Sequence, residues 1–171
     1  SKRENNHFWL SWTTEGCGGQ LLRQGKIAAN VTDHILKLGD DDLVECQWTI
    51  SAPAGKRVQT NVSTLLSYAM NCEEYGDKFT GLAIFDDSTN SSGIPIKTQC
   101  AKIDTTFHSP VLSLASHGGE MFIHIRVKKS QLPQSISSSF FVATVEFIDM
   151  PEGDAQCGGI VHVSPVGSPS V

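Results

Sequence analysis

No run of apolar residues in this chain approaches the ~20 that a membrane-spanning helix needs, so no helical span is expected within its 171 residues. The opening Ser1-Lys2-Arg3-Glu4-Asn5-Asn6 is not followed by an apolar core and does not read as a signal peptide. The chain is therefore expected to be a mature segment or a piece cut from something larger. Basic residues are scattered. The one cluster, Arg126 with Lys128 and Lys129, is too short for a nucleic-acid groove, and the formal net charge is -5. His7, His34, His108, His117, His124 and His162 show neither His-x-x-x-His nor His-Glu-x-x-His spacing, so zinc chemistry is not indicated. A Gly-x-Ser-x-Gly elbow, which would hold a nucleophilic serine beside a base, is missing, and no stretch sustains helical periodicity for three turns. Together these absences argue against a membrane helix, a nucleic-acid binder and the common hydrolases.

What is present points to an oxidising, extracellular setting. Three Asn-x-Ser/Thr sequons begin at Asn30, Asn61 and Asn90, none with proline in the middle position, and each matches the pattern of an N-linked glycan acceptor. Five cysteines accompany them. Those at 17, 46, 72 and 100 allow three pairings, and Cys157 is left over.

Strand signals are short and frequent. Residues 7–12 alternate Phe8, Leu10 and Trp12 on one face. Leu43–Ser51 is apolar and stops at Pro53-Ala54-Gly55. Residues 57–66 alternate Val58, Thr60, Val62, Thr64 and Leu66 against Gln59, Asn61 and Ser63, which puts Asn61 on the wet face. Residues 82–85 and 110–115 read as further strands. Residues 121–127 turn Ile123, Ile125 and Val127 inward, with Phe122, His124 and Arg126 outward. The longest β-branched and aromatic run is 139–149. Stretches 86–93 and 128–139 are Ser-rich loops, and Gly118-Gly119 reads as a hairpin turn. Many short strands at regular spacing predict a sandwich of two antiparallel sheets.

One motif repeats. An aromatic strand, a short turn and Cys-Gly-Gly occur at 7–19 and again at 139–159, 140 residues apart from Cys17 to Cys157. That is the signature of a tandem array holding one complete unit and parts of its neighbours.

Within the unit, Cys17-Gly18-Gly19, Cys46-x-Trp48-x-Ile50, Pro53-x-Gly55, Cys72, Gly81-Leu82-Ala83-Ile84-Phe85-Asp86 and Cys100 follow one another in an order that resembles a CUB domain. The short joints look most like the multi-CUB arrays of cubilin-like endocytic receptors. The resemblance implies an all-β, CUB-type jelly-roll sandwich of two antiparallel sheets, stapled by Cys17–Cys46 and Cys72–Cys100, with Cys157 paired to a cysteine outside this chain. It divides the chain into 1–16, the last strand and joint of a preceding unit; 17–150, a complete domain; and 151–171, a joint and the start of a following unit. Trp48 takes the place of a core residue. Departures exist: the family's proline turn after the first strand is replaced by the Asn30 sequon, and the fourth cysteine is followed by Ala101.

Many CUB domains hold Ca²⁺ through three carboxylates, because a hard cation takes oxygen ligands. Here those positions fall near Ser67-Tyr68, at Thr80, and at Lys128-Lys129, so none carries a carboxylate. Asp77 is the nearest substitute. No metal or other cofactor is expected, since a lysine at the third position repels a cation. Ser116-His117-Gly118-Gly119 loosely resembles an oxyanion segment but lacks its partners, and no catalytic residue is assigned. The Asp40-Asp41-Asp42 run could offer an acidic patch to a basic partner. Tyr68, Met70, Glu73, Glu74 and Asp77, in the loop around Cys72, are the candidate ligand contacts, with loops 67–80, 86–96 and 128–138 around them. The resulting expectation is a non-enzymatic, extracellular protein-binding module, in a secreted protein or a receptor ectodomain, serving ligand recognition or endocytic uptake. Its expected partners are a protein ligand, neighbouring CUB units and N-linked glycans, with no nucleic acid and no direct membrane insertion. The alternatives are a structural spacer and the substrate-docking domain of a secreted protease.

Overall fold

A computed structural model describes residues 17–66, 75–87, 94–104 and 112–151. The two flanks and the Cys-Gly-Gly of Cys157 lie outside them. The described strands are β1 (Gly19–Leu21), β2 (Gly25–Asn30), β3 (Leu43–Ser51), β4 (Lys56–Leu65), β5 (Gly81–Phe85), β6 (Lys97–Gln99), β7 (Ile103–Asp104), β8 (Leu112–Ala115), β9 (Glu120–Lys128) and β10 (Ser139–Asp149). A single-turn helix α1 (Asp33–Leu36) is capped by Thr32, whose side-chain oxygen accepts from the Ile35 N–H.

The strands form two packed sheets, an all-β sandwich of the kind the CUB resemblance implies. One sheet runs β1-β3-β9-β5-β6; the other runs β2-β10-β4-β7, with β8 also on β4. The pairings are antiparallel with one exception. β1 lies parallel to β3, with Gly19 opposite Trp48 and Leu21 opposite Ile50. Cys17 and Cys46 are disulfide-bonded with Cα atoms 5.2 Å apart, which holds the start of β1 beside the middle of β3. The Cys-Gly-Gly motif has a steric cause. Gly18 has φ +93° and Gly19 φ +138°, and a Cβ at Gly18 would stand 2.6 Å from the Gln47 carbonyl oxygen. Only glycine lets the backbone approach so closely in that conformation.

The core lies between the sheets. Val44, Cys46, Trp48 and Ile50 of β3, with Met121, Ile123, Ile125 and Val127 of β9, face Val58, Thr60 and Val62 of β4 and Phe141, Ala143 and Val145 of β10, all buried. Trp48 packs on Phe141 across the gap, ring centroids 5.1 Å apart. Thr60 is the buried polar residue of this layer, and its hydroxyl donates to the Met121 sulfur at 3.1 Å.

Two bulges change the alternation read from sequence. On β4, Val142 faces Thr64 while Ala143 faces Val62, so Ser63 is an extra residue. The inward phase slips by one, and Leu65 is buried in place of Thr64 and Leu66. On β10 a shift between Ser139 and Phe141 lets the adjacent Phe140 and Phe141 both be buried.

Residues 116–119 are not a hairpin turn. β8 belongs to the β4 sheet and β9 to the other, so this segment is a corner that crosses between sheets. Ser116 fixes the corner. Its buried hydroxyl accepts from the Val58 N–H at 2.9 Å and donates to the Gly118 carbonyl at 2.6 Å.

Candidate binding cleft

The outward face of the β3-β9-β5 sheet is the main surprise. Strand alternation puts Phe122, His124 and Arg126 on it, as expected, yet Phe122 and His124 are buried. The cover comes from residues 75–80, which fold over this face. Phe79 is 1% exposed and Tyr75 packs against it with the rings tilted, centroids 5.1 Å apart; Tyr75 also meets Phe85 edge-on at 4.9 Å. The result is a second, smaller core of Phe79, Ala83, Phe85 and Phe122 with Tyr75 at its rim. The alternation identified the correct face; it could not show that another segment removes that face from water. The sequence signal is Phe122 itself, a large aromatic at a supposed wet position; the structure sets Phe85 opposite it.

Polarity rises along this face toward one end. His124, 5% exposed, is not the surface histidine that its outward position implied. Its Nδ1 lies 2.8 Å from the Tyr75 hydroxyl. Glu45 stands opposite Arg126, and its Oε1 is 3.1 Å from Arg126 Nε and 3.3 Å from His124 Nε2. Those two nitrogens are buried but not aligned for hydrogen bonds, so the contact is ionic proximity rather than directed donation. Arg126 Nη1 reaches the Gly76 carbonyl at 3.4 Å. Tyr75, Phe79 and Arg126 thus pin residues 75–80 to the sheet.

At the charged end this pinned segment becomes one wall of a cleft of about 480 Å³, lined by Asp41, Leu43, Asp77, Lys78, Phe79, Thr80, Lys128 and Gln131. The opposite wall is the end of β9 and the single 3₁₀ turn Lys129–Gln131 that follows it. The floor is the run before β3. Asp42 folds this run by accepting from the Gly39 N–H at 2.7 Å. Backbone bonds then stitch it to the far wall: Lys129 N–H to the Asp42 carbonyl at 2.9 Å, Ser130 N–H to the Asp40 carbonyl at 3.1 Å. Lys128 pairs with Asp41 and Lys129 with Asp40, each at 3.2 Å. Asp40 and Asp41 are therefore partly neutralised within the chain and are not a free acidic patch. Both carboxylates are largely exposed, so each pair contributes about 0–1 kcal/mol.

The cleft gathers sequence positions that the linear reading kept apart. Asp77, Thr80 and Lys128 meet in it, and loops 67–80 and 128–138 each give it a wall through their described parts. Asp77 itself is exposed. Among the described residues no three His, Cys, Asp or Glu side chains converge as a metal site. Tyr68, Met70, Glu73 and Glu74 lie outside the described residues, as do Cys72, Asn90 and Cys157. Cys100 is disulfide-bonded. Asn30 is exposed, with its Oδ1 accepting from Ser139 at 2.6 Å. Asn61 is half-buried on the outward face of β4, between Ser113 and Thr144 of the neighbouring strands.

The oxyanion-like segment is used structurally. Ser116 is committed to the sheet corner, while the exposed His117 ring contacts Asp86, which also accepts from the His117 N–H at 2.7 Å. Serine and imidazole are thus committed to separate partners.

The chain is similar to part of a cubilin homolog from Caenorhabditis elegans. It is 33% identical to that protein over 162 residues, which takes in 92% of this chain. The chain spans about 4% of the length of that relative. No family model matches. Among the described residues no helix is long and apolar enough to cross a membrane.

Proposed function

We propose that this chain contributes a non-enzymatic, extracellular protein-binding module to a multi-CUB receptor or scaffold, serving ligand recognition or endocytic uptake, and that the cleft walled by residues 75–80 and 128–131 is where its ligand docks. The observation that carries this reading is the convergence of two loops on one cleft of a stapled sandwich, in a chain similar over 92% of its length to a segment of a cubilin homolog. The Cys17–Cys46 staple and the sequons support the extracellular assignment. A cleft lined by both signs of charge, with the exposed Leu43 between, suits a folded protein surface carrying complementary charges around an apolar contact. No resident metal is needed, because Lys128 already places a cation there.

The test is capture from extracellular fluid by the immobilised chain, with bound proteins identified by mass spectrometry. A ligand of the cleft is retained by wild type and by Glu146→Lys on the distant sheet face, and lost with the pair Lys128→Glu and Asp77→Lys. Retention by all three sinks the cleft assignment. Retention by none favours the spacer reading, to which glycans on Asn30 and Asn61 would contribute by covering the β2-β10-β4 face.

A further inference from the structure

The two ends of the sandwich are closed differently. At the cleft end α1 inserts Ile35 between the sheets, and Leu132 follows it from the connection after β9; both are buried. At the other end the inter-sheet space opens outward. Phe147 is the last inward residue of β10, after Phe141, Ala143 and Val145. Those three are buried, whereas Phe147 is only half-covered. Leu22, in the turn from β1 to β2, is 64% exposed. With Gln24, Ala52 and Pro53 these residues line an open cavity of about 480 Å³. An exposed leucine beside an unfinished core rung marks a surface that gains by being covered.

The chain leaves the unit at the rim of this mouth. β10 ends at Asp149, which pairs with Lys56 at the start of β4, and the Met150 N–H points to the Gly55 carbonyl. The Gln24 side-chain oxygen accepts from the Phe147 N–H at 2.7 Å, tying the 22–24 turn to the same strand end. The other flank arrives elsewhere: β1 begins level with Trp48, three residues short of the end of β3, roughly 10 Å from the mouth at the rise of a strand. The similarity to the cubilin homolog covers 92% of the chain. That is more than residues 17–151 supply, and neither flank is long enough to make up the difference alone. The matched region therefore takes in part of both flanks.

We infer that this mouth is the seat of the segment that follows it, residues 152–171, with Ile160, Val161, Val163 and Val166 as the apolar side chains that cover Leu22 and Phe147. Because the occupant is tethered a few residues away, docking is intramolecular and proceeds at high effective concentration. The contact would turn a short joint into a semi-rigid one and fix the direction in which the chain continues. It stands on the mouth and the exit of the chain, whatever binds at the cleft.

Amide spectra and hydrogen exchange of the full 171-residue chain test it. In the double variant Ile160→Asp and Val161→Asp, the amides of Leu22, Ala52 and Phe147 should shift and lose exchange protection, while those of Asp77 and Lys128 hold. Leu22→Asp should give the reciprocal result, a loss of protection in residues 158–166. Leu22 is exposed, so an unchanged melting curve will show that the unit itself stays folded. The inference is overturned if the double variant moves only resonances within 152–171. It is equally overturned if the mouth responds instead to Trp9→Asp and Trp12→Asp in the other flank.

Discussion

Replacing Phe122 by alanine separates two pictures of the β3-β9-β5 sheet. Alternation along β9 turns Phe122 away from the main core, and on a solvated face such a change costs within about 0.5 kcal/mol. In the structure Phe122 is 1% exposed, with its ring centroid 5.8 Å from that of Phe85 and 6.3 Å from that of His124. Truncating a buried phenylalanine costs about 3–5 kcal/mol, depending on how far the surroundings collapse. The cover here is a loop segment that can settle inward, so the lower end, about 3 kcal/mol, is expected. With a urea dependence of about 2 kcal/mol/M, the unfolding midpoint should fall by about 1.5 M. Urea titration followed by tryptophan fluorescence reads this directly, since Trp48 lies in the main core. A loss under about 1 kcal/mol would refute the second core. Tyr75→Phe refines the test: it keeps the ring and removes the hydroxyl near His124, and should cost about 1 kcal/mol.

Three further outcomes are expected. Replacing Cys17 and Cys46 together by alanine opens a loop with a sequence separation of 29, and thermal or urea unfolding should show a loss of about 3–4 kcal/mol on the chain-entropy estimate. Gly18→Ala should cost about 1–3 kcal/mol in the same assay, because its φ of +93° and the 2.6 Å approach to the Gln47 carbonyl leave no unstrained place for a methyl group; a neutral result contradicts the account of the Cys-Gly-Gly motif. Calcium added during thermal melting should leave the midpoint unchanged, since Lys128 brings an ammonium group to the cleft. A rise at sub-millimolar calcium would contradict this and point to a cation held at Asp77.

Much of the fold was legible because one-sided burial writes a period of two into a strand. β3 and β10 have the bounds their sequence predicts, and Trp48 sits in the core. The short strands β1, β6 and β7 were not legible: two or three residues hold no periodicity, and Gly19–Leu21 is a strand because a disulfide lays it against β3. The slip at Ser63 was hidden because a bulge is a property of the pair of strands, not of one. The cleft was half-visible. The polar, turn-rich character of loops 67–80 and 128–138 marks them as contacts, but nothing along the chain tells that Asp77, Thr80 and Lys128 meet, or that Lys128 and Lys129 pair with Asp41 and Asp40. His124 was misplaced for the same reason as Phe122: a face can be assigned from one strand, but its cover comes from residues some fifty positions away.

Protection from hydrogen exchange, mapped on the chain with its captured ligand bound, tests the binding role most directly. The cleft reading predicts slowed exchange at residues 40–43, 77–80 and 128–131, with the β4 and β10 faces around Asn61 and Glu146 unchanged. Protection centred on that β4–β10 face, with the cleft unaffected, would contradict it.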